Sequence, residues 1–171
     1  FYDEKVLLDI RLNILNEFVD YFVIVESKYF HNGVERKLNF KISDYPKFKD
    51  KIIYIIHDNI SVNLEDLDPN DDEDTKTFKL NFNAHAREND QRNHIISGLK
   101  NADENDLIFI SDVDEIPNLE NLNFQTIKNK IILFEQDIFY YKLNRYLPNY
   151  TWFGTKACRK KDLLSPQWLR N

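Results

Sequence analysis

Three carboxylates fall within four residues where an apolar run ends. In residues 107–117, LIFISDVDEIP, Ser111 closes the run and Asp112, Asp114 and Glu115 follow at once. Like charges this close repel one another unless a cation or hydrogen-bond donors compensate. With oxygen ligands only, Mg²⁺ or Mn²⁺ is the natural guest, a hard ion that keeps positions open for phosphate oxygens. Pro117 stiffens the turn and blocks direct continuation into a helix. The plainer reading is an acidic turn after a buried strand. In an open α/β sheet, however, the carboxyl end of a strand is where ligands bind.

A helix expected over residues 84–100 puts Glu88, Arg92, Ile95 and Leu99 on one stripe, so a charged pair lines up with core-facing residues. Burying such a pair is rarely a net stabiliser. This points Arg92 towards a site, either orienting Asp112 or neutralising a diphosphate, with an ordinary surface ion pair as the alternative. Glu26 closes an earlier apolar run, placed to accept from a uracil or ribose, or to cap the next turn. Tyr150, Trp152 and Phe153 suit stacking on a pyranose face, or a place in the core. Lys156, Arg159, Lys160 and Lys161 form a basic patch that either balances a departing diphosphate or is solvated surface.

The elements that must position these residues alternate. Apolar spacing predicts a helix over residues 4–18 after a short strand at Phe1 and Tyr2. Residues 21–26 (YFVIVE), 51–57 (KIIYIIH) and 106–111 (DLIFIS) are short apolar runs rich in β-branched and aromatic residues, as buried parallel strands are. A helix is expected over residues 118–129, and two strands over residues 131–146 joined near Gln136 and Asp137. The order implies one α/β domain across residues 1–171 with a mainly parallel sheet. Residues 65–74 (EDLDPNDDED) read as a solvated acidic loop. They fail as a calcium loop because Asp71 and Thr77 occupy the slots for glycine and glutamate.

Composition removes several classes. A net charge of −6 argues against a nucleic-acid module. The three glycines, Gly33, Gly98 and Gly154, lie too far apart for a dinucleotide or phosphate-loop fingerprint. Cys158 stands alone, which excludes a disulfide framework and favours a reducing compartment. No apolar run reaches the ~20 residues of a membrane span. The expected location is cytoplasmic, or the Golgi lumen if the chain derives from a eukaryotic secretory enzyme. The chain has no methionine, so Phe1 is not expected to be the natural start.

The chain resembles the family 17 glycosyltransferases, which include the enzyme that adds the bisecting N-acetylglucosamine to N-glycans. The resemblance is carried in order by residues 2–12 (YDEKVLLDIRL), 19–26 (VDYFVIVE), 87–93 (RENDQRN) and 110–117 (ISDVDEIP), with Trp152–Thr155 and the closing SPQWLR less specific. It implies a GT-A nucleotide-sugar fold, a D-x-D metal site for Mn²⁺ or Mg²⁺, a UDP-sugar donor, a carbohydrate acceptor and inversion at the anomeric carbon. By that resemblance Asp114 holds the metal with Asp112 beside it. The expected substrate contacts are Asp112, Glu115, Glu26, Arg92, Arg87 and Trp152, and Asp137 or Glu135 is the candidate base. Family members continue past the position of Asn171, so the chain is expected to be a piece incomplete at both ends. Two rivals remain. One is a phosphatase with a D-x-D nucleophile, which Ile116 fits poorly. The other is a noncatalytic nucleotide-sugar or carbohydrate-binding domain.

Overall fold

A computed structural model describes residues 1–120, 122–142 and 144–171. The chain divides into two compact units. One comprises Phe1–Asp3 and Tyr21–Lys100, the other Glu4–Asp20 and Asn101–Asn171.

In the first unit, strands β1 (Phe22–Ser27) and β2 (Ile52–His57) pair in parallel, from Phe22 opposite Ile52 to Ser27 opposite His57. β1 is a buried run, as its composition predicts, whereas β2 buries only Ile52 and His57 at its ends and leaves Ile56 exposed. A cluster of rings packs beside them: Phe40 lies 4.6 Å from Tyr54 and 5.6 Å from Tyr45 between centroids, and Phe22 meets Phe48. Helix α2 spans Glu73–Asn93 and runs into a 3₁₀ segment, His94–Leu99. The expected helix over residues 84–100 thus begins eleven residues earlier and tightens at its end. The early start has a local cause. Asp72 caps the helix by accepting from the Thr75 amide at 2.7 Å, and Glu73 and Asp74 lie in its first turn, where the helix dipole favours negative charge. The acidic run that reads as loop is in part a helix start. Gly98 lets the 3₁₀ segment approach the sheet, since a Cβ there would come within 2.6 Å of Val23 and 2.9 Å of Ile55.

In the second unit, helix α1 (Lys5–Leu15) buries Leu8, Leu12 and Leu15. Strands β3 (Leu107–Ile110), β4 (Ile131–Leu133) and β5 (Lys156–Arg159) form an antiparallel sheet in the order β3-β5-β4. The expectation of a mainly parallel sheet is therefore corrected. Only β1 and β2 run parallel, and both sheets are small. The reason lies in β5, whose buried part is just Ala157 and Cys158 and which therefore resembles a basic loop in sequence.

The helix expected over residues 118–129 is replaced by turns. The Asn118 and Asn123 side chains accept from the amides of Glu120 and Gln125, at 2.9 and 3.1 Å, offering the backbone a partner that competes with helix. Residue 121 lies outside the described residues. Of the two strands expected over residues 131–146, β4 alone is found among the described residues, residue 143 lying outside them. Beyond it are isolated pairings of Gln136 with Trp152 and Phe139 with Tyr146. A short helix, α3 (Pro166–Arg170), follows β5, capped by the Ser165 hydroxyl accepting from the Trp168 amide. No helix among the described residues is long and apolar enough to cross a membrane.

Candidate active site

Strand β3 ends at Ile110, and residues 112–115 form a turn in which the Glu115 amide donates to the Asp112 carbonyl at 3.2 Å. Asp114, at the apex, is exposed. Glu115 is folded back into the unit at 7% exposure. Asp114 thus stays outside while Glu115 is inside, and the carboxylates of Asp112 and Glu115 are met by donors of the chain itself.

Two guanidiniums hold the turn. Arg11, on α1, donates from Nη1 to the carbonyls of Glu115 at 2.8 Å and Asp112 at 3.2 Å, and from Nη2 to the Ser111 hydroxyl. Burial pulls its pKa from 12.5 to about 10, opposed by Glu115, Asp112 and Asp114, so it stays charged at neutral pH. Arg170, on α3, donates from Nη2 to Glu115 Oε1 at 2.7 Å and to Asp112 Oδ2 at 3.1 Å.

Glu115 also accepts from the Trp152 indole at 2.9 Å on Oε1 and from the Asp112 amide at 2.9 Å on Oε2. Its carbonyl takes the buried Thr155 hydroxyl at 2.9 Å. A carboxylate with three donors from its own chain fixes the turn's shape. Gly154 makes room for it, because a Cβ there would fall 2.4 Å from the Glu115 carboxyl carbon and 2.5 Å from Trp152 Nε1.

The candidate bases sit on a neighbouring segment. The Phe134 amide donates to the Thr155 carbonyl at 3.0 Å and the Gln136 amide to the Trp152 carbonyl at 2.8 Å. Gln136 turns its side chain inward to accept from the Thr155 amide at 2.7 Å. Glu135 and Asp137, one residue either side of it, are exposed. Glu135 accepts from the Thr151 hydroxyl at 3.4 Å. Both are carried on a backbone paired with the segment that touches Glu115. The four basic side chains all tie back to this unit. Lys156 donates to the Arg170 carbonyl, Arg159 and Lys161 to Asn105, and Lys160 to the Ala102 carbonyl.

The first unit holds Glu26, Arg87 and Arg92. Glu26 is fully buried and accepts four hydrogen bonds. Arg36 and the Asn39 amide bond one oxygen, each at 2.7 Å, and the Phe40 amide and Tyr54 hydroxyl the other, at 3.0 and 2.8 Å. With these partners it holds the 36–40 loop on the sheet. Burial, then the bond to Glu26, pushes the Tyr54 phenol up. Arg92 pairs with Glu88 at 2.7 Å across one helical turn.

Arg87 donates to the His31 carbonyl at 2.9 Å and packs on Gly33, whose φ of 87° is one that glycine adopts readily. It lines a cavity of about 80 Å³ beyond Ser27 and His57, the carboxyl-end residues of β1 and β2, together with Asn59, Ser61 and Gln91. Such hydrogen-bonding edges suit a base or sugar hydroxyls. His57 faces Asp90 at 3.5 Å and Ser27 at 3.4 Å, and burial pushes its pKa down.

The residues missed in the sequence are Arg11 and Arg170. Arg11 carries the same signal that singles out Arg92, a charge on the stripe of Leu8, Leu12 and Leu15. Nothing local marks Arg170, which meets Glu115 across 55 residues of chain. Among the described residues no three His, Cys, Asp or Glu side chains form a ready-made metal cage. Asp112, half exposed, and Asp114 fit an ion that binds through one or two carboxylates plus water and substrate phosphates, as Mg²⁺ and Mn²⁺ do.

No curated protein and no solved structure matches the chain. The model described as Glycosyltransferase family 17 matches residues 1–161, a stretch that includes Arg11, the acidic turn, Trp152 and Gly154 and stops short of α3. With nearly its whole length matched, the chain belongs to glycosyltransferase family 17.

Proposed function

We propose that the protein is a metal-dependent glycosyltransferase of GT-A type that transfers a sugar from a UDP-sugar, with UDP-N-acetylglucosamine the leading donor, to a carbohydrate acceptor with inversion. The observation that carries this reading is the turn after β3. Glu115 is consumed in holding the loop, while Asp112 and Asp114 remain at the solvent edge. Donor and stereochemistry rest on family membership.

Asp114, with Asp112, would hold Mn²⁺ or Mg²⁺, which supplies charge stabilisation for a UDP leaving group. The chain's own part is preorganisation. Arg11 fixes the main chain of the turn from beneath, and Glu115 locks the Asp112 amide. The Trp152 ring, half exposed and anchored through its indole N–H, is set to offer a face to a sugar. Glu135 and Asp137 are exposed carboxylates on a braced segment, either able to take the acceptor hydroxyl proton.

Thermal unfolding with a panel of nucleotide sugars in Mn²⁺ tests the donor. Stabilisation follows occupancy of the native state, so UDP-N-acetylglucosamine should raise Tm more than GDP-mannose. The reverse order would overturn the donor assignment.

A further inference from the structure

Arg170 makes two ion pairs of unequal character. Its contact with Glu115 is short, 2.7 Å, and the Glu115 side chain is 8% exposed. Its contact with Asp112 is 3.1 Å, and that side chain is 46% exposed. The exposed pair is screened by water and weak, while the buried one is costly to break because it would strand a charge. The guanidinium also lies 5.8 Å from the Trp152 ring centroid, and its Nε is buried without a hydrogen-bond partner. Arg170 Nη2 is therefore held tightly by Glu115 and loosely by Asp112, while Nε is under-satisfied. Three carboxylates against Arg11 and Arg170 leave the turn with one negative charge in excess.

We propose that Arg170 is a resident counter-ion of the acidic turn that competes with a divalent cation for Asp112 and, once Asp112 turns to the metal, donates to the diphosphate. In the metal-free protein the guanidinium neutralises Asp112. When metal and diphosphate arrive together, the weak Asp112 contact opens, Glu115 retains the guanidinium, and the freed N–H meets a phosphate oxygen. Guanidinium–phosphate pairing is a strong charge-assisted bond, so one ion pair is exchanged for another. The protein would thus bind metal poorly alone and well with a diphosphate. This rests on the reading of Asp112 and Asp114 as the metal site.

The two steps predict opposite signs for one substitution. In Arg170→Gln, Mn²⁺ alone, measured by the electron paramagnetic resonance of the free ion, should bind about fivefold tighter, because a nearby positive charge is gone. Inorganic pyrophosphate at saturating Mn²⁺, measured by calorimetry, should bind about tenfold weaker, because a charge-assisted bond is lost.

Arg170→Lys keeps the charge but not the fork. It should leave Mn²⁺ affinity near wild type and recover part of the pyrophosphate affinity, and it serves if the Gln variant does not fold. Affinities that fall together, or do not move, would overturn the proposal while wild-type binding left the metal site standing. Wild-type protein whose Mn²⁺ binding is indifferent to Asp114→Ala would remove the metal reading itself, and the proposal with it.

Discussion

Arg11 Nη1 donates to the Glu115 carbonyl at 2.8 Å, so a helix near the amino terminus holds the main chain of a turn 104 residues away. The same nitrogen reaches the Asp112 carbonyl. Removing it leaves partly buried acceptors without their donor, at about 1–3 kcal/mol for each such group. Arg11→Leu should lower unfolding stability by about 2 kcal/mol or more in urea titrations. Arg11→Lys should recover little, because an ammonium cannot reach two carbonyls and the Ser111 hydroxyl in one plane. A loss within the ~0.5 kcal/mol of ordinary surface changes would contradict the bracing role.

Gly154→Ala probes the hub from the other side. Its Cβ would sit 2.4 Å from the Glu115 carboxyl carbon, and no rotamer of a buried carboxylate bonded to Arg170, Trp152 and the Asp112 amide relieves that cheaply. The expected cost is about 1–3 kcal/mol, together with a change in Trp152 fluorescence as the indole bond breaks. Wild-type stability and an unchanged emission spectrum would show that the turn has slack.

Much of this arrangement is legible in the sequence, and what is not has physical reasons. The apolar runs ending at Glu26, His57 and Ser111 mark β1, β2 and β3 because runs of β-branched and aromatic residues carry their own signal, even in β2, whose middle is only partly buried. Strand β5 carries little, since two buried residues between basic ends have no periodicity to read. The turns at Asn118 and Asn123 defeat a helical pattern through side-chain bonds that compete locally with helix. The D-x-D turn is visible because its charges are adjacent. Its guanidinium partners come from α1 and α3, and only tertiary pairing brings them together.

His57 gives a pH dependence with a definite sign. Burial depresses its pKa below the ordinary 6.5, against the opposing pull of Asp90, with His94 adding to the depression and Asp58 opposing it. The folded state therefore binds fewer protons than the unfolded chain once the pH drops below 6.5, and stability falls from there down through the folded pKa. His57→Gln lacks this group, so the stability gap between wild type and variant should narrow from about pH 7 to about pH 5. A gap constant across that range would mean that His57 titrates alike in both states.

The central claim, a metal-bridged diphosphate at Asp112 and Asp114, is tested most directly by calorimetric titration of UDP in Mn²⁺ and in EDTA, with wild type and Asp114→Ala. Because Asp114 is exposed, its loss should leave the melting temperature within a degree or two of wild type, as surface substitutions usually do. Wild type should bind UDP at least about tenfold tighter with Mn²⁺, and Asp114→Ala should bind it equally weakly in both buffers. Equal wild-type affinity in Mn²⁺ and EDTA would contradict the account.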